Sequence, residues 1–123
     1  MDARAIATQL AVGRLALGVA LAVAPDRAAR GWIGPTDTGA RVVARGLGMR
    51  DVALGLGALT ALRSGGPARE WLLAGALGDA GDLAGTLIAG RELPWLGRVG
   101  VGALAASAAG LGVWAARELQ PAP

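Results

Sequence analysis

Charged side chains interrupt three apolar stretches of this chain, close to the middle of each stretch. Arg14 lies in the first, Arg50 and Asp51 lie in the second, and Asp79 and Asp82 lie in the third. The two aspartates of the third stretch are three residues apart, which places both carboxylates on one face of a helix. One of two neighbouring carboxylates tends to hold a proton. Such a group can serve as a general acid or as a proton carrier.

The charges inside the apolar stretches balance in sign, which predicts a buried ion-pair network. An isolated charge in such surroundings is costly, so each is expected to have a partner. Asp79 is expected to pair with Arg14 or Arg50, and Asp82 with Arg45. The network then holds the helices together, or one of its three aspartates is the catalytic residue. Its predicted members are Arg14, Arg45, Arg50, Asp51, Asp79 and Asp82.

Composition excludes several kinds of site. The 123 residues include no Cys and no His, which rules out disulfides, thiol catalysis, and zinc or haem sites of the usual kind. No metal or other cofactor is expected. The twelve basic residues are scattered along the chain and form no block, so nucleic acid is not an expected partner.

The apolar composition predicts an integral membrane protein. Hydrophobic residues make up 54% of the chain and charged residues 17%, against roughly 25% charged in soluble domains. The 21 glycines lie inside apolar runs as well as between them. Glycine inside a water-facing helix costs about 1 kcal/mol, but it is common in membrane helices. The expected surroundings are a lipid bilayer, the inner (cell) membrane of a bacterium; an alanine-rich soluble bundle is the alternative.

Four apolar segments without period-two alternation predict four helices and no strands. Their lengths bracket the ~20 residues needed to cross a bilayer. Short connections predict an all-α fold, a four-helix antiparallel transmembrane bundle formed by a single domain, 1–123. The longest connection, 25–39, is expected to lie on the lipid headgroups. The predicted helices are residues 8–24, 40–62, 70–89 and 96–116.

The four tryptophans lie at or near the ends of the predicted helices. Trp32 and Trp95 fall on one side of the bundle, and Trp71 and Trp114 on the other. Indole rings favour the membrane–water interface, where the ring is in apolar surroundings and its N–H can reach water. The tryptophans therefore predict an aromatic belt at both faces of the membrane.

Small residues recur at helical spacing on two of the segments and predict close contact between helices. On the fourth segment, this contact is expected within the monomer, with a homodimer or a larger membrane complex as the alternative. The stripe on the fourth segment is Gly102, Ala106 and Gly110, and the stripe on the second is Ala44, Gly48, Asp51 and Gly55.

The motif Arg50-Asp51-x-x-Leu54-Gly55-Leu56 in the second helix, followed by Asp79-x-x-Asp82 in the third, resembles a known pattern. It is similar to that of small uncharacterised four-helix membrane proteins of actinobacteria, a domain of unknown function. The resemblance covers most of the chain. It implies a membrane location and names no activity. Small multidrug-resistance transporters are similar in size and helix number, but they carry a Glu in the first helix, where this chain has Arg14.

Three functions fit these observations. The first is a non-enzymatic membrane protein, structural or accessory, whose buried ion pairs hold the fold. The second is a small membrane enzyme that acts on an apolar substrate with Asp51, Asp79 or Asp82 as general acid. The third is a small proton-coupled transporter. An enzyme needs an enclosed apolar pocket with an unpaired carboxylate, a transporter needs access for water, and a scaffold needs neither.

Overall fold

The computed structural model describes residues 1–120 and consists of helices joined by short connections. Within these residues there is no strand, so the prediction of an all-α fold is confirmed. The last three residues of the predicted domain lie outside the described part. The helices are α1 (Ala3–Val23), α2 (Pro25–Ile33), α3 (Thr38–Ser64), α4 (Ala68–Ala89) and α5 (Trp95–Glu118), with a 3-10 turn at Gly90–Glu92 between α4 and α5.

The prediction that four helices are each long and apolar enough to cross a membrane is wrong for one of them, α3. Three helices are long and apolar enough to cross a membrane: α1, α4 with the turn that follows it, and α5. Helix α3 is long, but charges break up its apolar surface. Its stretch between Arg45 and Arg63 is shorter than the ~20 residues of a typical span and contains Arg50 and Asp51.

The fifth helix, α2, lies in the segment that the sequence predicts as a connection. Pro25 occupies its first turn, where a missing N–H removes no helical hydrogen bond. Gly34 ends it with a φ of 81°, a backbone conformation that favours glycine. The apolar residues of α2 also recur at helical spacing, a second signal that the sequence prediction missed: Pro25, Ala28, Ala29, Trp32 and Ile33.

Side-chain caps explain why two of the helices begin earlier than predicted. The carboxylate of Asp2 accepts a hydrogen bond from the backbone N of Arg4 at 2.9 Å, so α1 starts at Ala3 rather than near residue 8. Asp37 does the same for α3 through the backbone N of Ala40, at 2.7 Å.

Glycine permits unusually close packing of α1 against α3. An ideal Cβ atom placed on Gly48 would lie 2.5 Å from the carbonyl oxygen of Gly18 and 2.7 Å from the backbone N of Ala22. Further along the antiparallel pair, a Cβ on Gly55 would lie 2.8 Å from the carbonyl oxygen of Ala11. The small-residue stripe of α3 is therefore its contact face with α1.

Helices α4 and α5 form the second closely packed pair. Gly112 of α5 lies against Leu72 and Ala76 of α4, and a Cβ atom on it would be 3.4 Å from the Cβ of Ala76. At its other end, Gly97 lies directly on the backbone of Gly31 and Trp32 in α2. The bundle thus consists of two helix pairs, α1/α3 and α4/α5, with α2 packed across one end.

Large apolar side chains point outward, and small ones fill the interior. Most of the buried apolar residues are alanines. Leu77, Leu87 and Ile88, by contrast, are 75%, 67% and 86% exposed. A water-soluble bundle buries its large apolar side chains. The observed distribution is typical of helices whose surroundings are as apolar as their contacts, where small residues allow close packing.

The connection between α2 and α3 is held by one half-exposed carboxylate. Asp26 accepts hydrogen bonds from the hydroxyl of Thr36 and from Nε of Arg41, the latter at 3.0 Å. These hydrogen bonds, that of Thr36 foremost, hold the pKa of Asp26 below its ordinary value near 3.8. A lowered pKa in the folded state means that the ionised form stabilises this connection above the ordinary pKa. The stabilisation is lost as the pH falls through the lowered value.

We expect Gly48→Ala to lower the melting temperature of the detergent-solubilised protein by several degrees, because the added methyl group would collide with the backbone of α1. Gly46→Ala is the matched control on the same helix, since a Cβ atom there has nothing within 4 Å. The control should leave the melting temperature unchanged or raise it, as alanine favours helix over glycine by about 1 kcal/mol. Equal effects of the two substitutions would contradict the close α1–α3 contact.

We also expect acidification from about pH 5 to below pH 3 to loosen residues 34–41, as Asp26 takes up a proton. The measurement is hydrogen–deuterium exchange of these amides in the wild-type protein and in Asp26→Asn at the same pH. Comparing the two proteins at each pH removes the intrinsic pH dependence of exchange. The wild-type protein should exchange more slowly than the variant at pH 5 and at the same rate at low pH. A constant difference between the two would argue against Asp26 as the group that holds the connection.

Candidate functional site

Arg14 connects three helices at the middle of the bundle. From α1, its Nη1 donates to Oδ1 of Asp51 on α3 at 3.1 Å. Its Nη2 donates to Oδ2 of Asp79 on α4 at 2.5 Å and to the carbonyl oxygen of Gly75 at 3.2 Å. Its side chain is 12% exposed. Asp79 thus pairs with Arg14, one of the two arginines expected as its partner, and Arg14 also forms an ion pair with Asp51.

Arg50 forms the second half of the network. Its Nη1 and Nη2 donate to the two carboxylate oxygens of Asp82 on α4, at 3.2 and 2.9 Å. Its Nε and Nη2 also donate to Oδ1 of the adjacent Asp51, at 3.2 and 3.0 Å. Oδ1 of Asp51 therefore accepts from both arginines and lies at the centre of the network. A two-pronged arginine–carboxylate pair is geometrically specific, so Arg50 fixes the register of α3 against α4.

Two glycines of α4 lie against the guanidinium groups, and the contact is tight at Gly75 and ordinary at Gly78. A Cβ atom on Gly75 would lie 3.2 Å from Nε of Arg14, and one on Gly78 would lie 3.5 Å from Cζ of Arg50. Sequence reasoning missed both glycines as part of the site. Their position, three residues apart and just before Asp79, is the signal that could have found them.

The prediction that Arg45 pairs with Asp82 is wrong. Arg45 is exposed and makes no ion pair with any residue from 1 to 120, and Asp82 pairs with Arg50 instead. Arg45 precedes Arg50 by five residues, which turns it about 140° away around the helix. When Arg50 faces α4, Arg45 must therefore point away from the interior.

The network consequently carries a net charge, contrary to the predicted balance. It contains two guanidinium groups and three carboxylates, a formal charge of −1. Asp51 and Asp79 are only 3% and 8% exposed. A net charge in such surroundings is costly, so the imbalance is the most informative property of the site.

Two carboxylate oxygens of the network accept no hydrogen bond from any residue in the described part of the chain. They are Oδ2 of Asp51 and Oδ1 of Asp79. No inaccessible side-chain nitrogen or oxygen in that part lacks a hydrogen-bond partner, so both oxygens reach open space. They can accept a hydrogen bond from a molecule that enters it.

Asp51 and Asp79 line a cavity of about 490 Å³, here named the central cleft. It follows α1 from Ile6 to Leu21, a length of about 22 Å at 1.5 Å per residue. Leu17 and Leu104 line it and are also 44% and 61% exposed, so the cleft opens along its length between α1 and α5. Its polar lining at mid-height is Arg14, Asp51, Asp79 and Asp82, and its apolar walls include Leu10, Leu17, Leu21, Val101, Leu104, Ala105, Ala108 and Leu111.

Three of the four tryptophans contact other parts of the bundle, and the fourth, Trp95, is the most exposed. Nε1 of Trp32 donates to the hydroxyl of Thr86 at 3.0 Å, so this indole is anchored to α4 and lines the central cleft. Trp71 packs on Gly57 of α3, and Trp114 packs against the apolar cluster at the same end of the bundle. Trp95 is 64% exposed. A position at the membrane–water interface stays a prediction for all four tryptophans. The hydrogen bond from Trp32 to Thr86 is a contact that the sequence did not indicate.

The small-residue stripe of α5 does not form the internal contact that the sequence predicts. Gly102 is buried beside Leu83 of α4, but Ala106 and Gly110 are exposed, and a Cβ atom on Gly110 would have nothing within 4 Å. The small residues that do pack within the monomer, such as Ala105 and Gly112, lie on another face. A homodimer through the exposed stripe stays a prediction.

The acidic side chains are not arranged for a metal ion. Within residues 1–120, no group of three or more His, Cys, Asp or Glu side chains is close enough to hold one. The three aspartates of the network are instead separated by the guanidinium groups that they contact.

No protein family, no curated protein and no solved structure matches this chain. Membership in the family of small actinobacterial membrane proteins, suggested by the motif at Arg50-Asp51, therefore stays a prediction. The geometry of the network and of the central cleft is the basis for the functional proposal.

We expect the network to tolerate the loss of an aspartate better than the loss of an arginine. Arg14→Gln makes the net charge of the network more negative, from −1 to −2. It should lower the free energy of unfolding by about 3–5 kcal/mol, the usual effect of leaving a buried charge unpaired. Asp79→Asn brings the net charge to zero and keeps an oxygen that can accept from Arg14, so it should be nearly neutral. SDS-induced unfolding in mixed micelles measures both.

Arg45→Gln is the matched control for Arg14→Gln, because it removes an arginine outside the network and should change stability by about 0.5 kcal/mol or less. If Asp79→Asn were as destabilising as Arg14→Gln, the net negative charge assigned to the network would be wrong.

Proposed function

We propose that this chain is a non-enzymatic integral membrane protein of four crossings that binds a small amphipathic molecule in the central cleft. The crossings are α1, α3, α4 and α5, in the cell membrane of a bacterium. The observation that carries the proposal is the position of the Arg–Asp network, midway along a long apolar cleft. The same ion pairs that join the helices also supply the polar groups that orient a ligand.

The exposed surface supports a membrane location. Large apolar residues cover the outside of the bundle, where lipid chains would contact them. Helix α3 directs Arg50 and Asp51 toward α1 and α4, where Asp51 is buried and Arg50, though one-third exposed, is paired with two carboxylates. Arg45 lies about 10 Å from the start of α3, and its flexible side chain can reach the headgroups from there. A crossing by α3 is therefore compatible with its charges.

The contacts of the aspartates favour binding over the two other functions that the sequence allows. Acid catalysis calls for a carboxylate free of arginine, and within residues 1–120 each of Asp51, Asp79 and Asp82 contacts one. Proton-coupled transport calls for access of water from a face of the membrane, whereas the cleft opens along its length between α1 and α5. A binding protein needs only the cleft and its polar groups.

The topology can be tested with single cysteines, because the chain contains none. We expect Thr38→Cys and Ser64→Cys, at the two ends of α3, to react with a membrane-impermeant maleimide from opposite sides of the membrane. Leu77→Cys, in the middle of α4 and exposed, should react only after detergent is added. Labelling of both ends of α3 from the same side would show that α3 does not cross.

Binding can be tested with straight-chain probes that share one apolar body: decanol, decylamine and decanoate. At least one should raise the melting temperature of the protein in a saturable manner. Gly13 lines the cleft, and a Cβ atom on it has nothing within 4 Å, so Gly13→Trp should fill the cleft and abolish the effect. Gly81→Trp, equally open but outside the cleft, is the control. Failure of all three probes, or equal behaviour of the two variants, would overturn the proposal.

A further inference from the structure

We infer that the ligand of the central cleft is a protonated amine carried on an apolar body, an inference that rests on the proposed function. The first ground is the charge of the network. Its two arginines face three aspartates, so each carboxylate contacts an arginine but the formal charge of the network is −1. The wall supplied by α5 adds no compensation, because α5 has no charged residue between Arg98 and Arg117. A ligand with one positive charge completes the balance.

The second ground is the hydrogen-bonding capacity that remains in the cleft. Oδ2 of Asp51 belongs to a side chain that is 5% exposed and Oδ1 of Asp79 to one that is 12% exposed, and both oxygens can still accept. Neither Arg14 nor Arg50 donates to these two oxygens, because both guanidinium groups are directed at the other carboxylate oxygens of the network. A matching ligand must therefore bring donors as well as charge. A protonated amine has N–H groups, whereas a quaternary ammonium ion has none.

The third ground is the shape and apolar character of the space around these oxygens. The cavity volume of about 490 Å³ is within the range of roughly 300–1,000 Å³ that is usual for small-molecule sites. A proton or a metal ion would occupy only a small part of it. Leu10, Leu17, Leu104 and Leu111 line it along α1 and α5. A cation without an apolar body would leave these walls uncovered. The opening between α1 and α5 admits a ligand that is dissolved in the lipid.

The experiment compares headgroups on one apolar body at a pH near 8, where decylamine is protonated. Thermal stabilisation and equilibrium binding are measured with decylamine, decyltrimethylammonium, decanol and decanoate. We expect decylamine to bind best and Asp79→Asn to weaken its binding by about tenfold or more, which corresponds to about 1.4 kcal/mol. The matched control is Asp37→Asn, which makes the same charge change at an exposed helix cap and should leave binding unchanged.

Several results would overturn the inference while leaving the proposed function intact. One is binding of decanol or decanoate that equals that of decylamine. Another is equal binding of decyltrimethylammonium, which would remove the role of the N–H donors. A third is stabilisation by sodium or potassium ions that is lost in Asp79→Asn, which would assign the cleft to an inorganic cation. If no probe binds and Gly13→Trp has no effect, it is the proposed function that fails.

Discussion

The contact of one guanidinium group with two helices at once is the interaction on which this bundle depends. Arg14 reaches from α1 to Asp51 on α3 and to Asp79 on α4, in surroundings where each of these charges alone would be strongly unfavourable. The three groups therefore stabilise one another, and none can move away without leaving a charge unpaired. Apolar contacts between alanines and glycines are far less selective, since one small residue can replace another. The network thus specifies which faces of the helices meet.

Small residues and charged residues have complementary roles in this arrangement. Glycines at the crossing of α1 and α3 bring the two backbones close enough for Arg14 to reach Asp51, and Gly75 leaves space on α4 for the guanidinium group of Arg14. Large side chains at these positions would hold the helices apart and separate the charges. Close packing within each pair also leaves little apolar volume in the interior. The central cleft lies between the pairs and is lined by α1 and α5 around the network.

Much of this structure can be predicted from the sequence, and the errors have identifiable physical causes. The four long helices follow from apolar segments of sufficient length, and the central position of Arg14 and Asp79 follows from counting residues along parallel helices. The partner of Asp82 does not follow from position along the helix axis alone, because that position says nothing about rotation around the axis. Arg45 lies near the level of Asp82 in the bundle, but on a face of α3 that points away from it. Helix α2 is missed because it is short and lies between a proline and a glycine, although its apolar residues recur at helical spacing. The central cleft depends on how the two pairs lean against each other, which no local pattern records.

The pairing of Asp82 with Arg50 rather than Arg45 has a consequence for function. A network of three arginines and three aspartates would be complete in itself, and its interior would have no use for a ligand. Because Arg45 is outside the network, Asp51 and Asp79 each keep one oxygen that accepts no hydrogen bond. The uncompensated negative charge and these two acceptors both belong to residues that line the central cleft. A ligand that supplies both would stabilise the folded protein by mass action. It would also join α1, α3 and α4 more firmly, because it would contact carboxylates on two of these helices beside the arginine of the third. Binding and assembly of the bundle are therefore expected to be coupled, since both rest on the same five side chains.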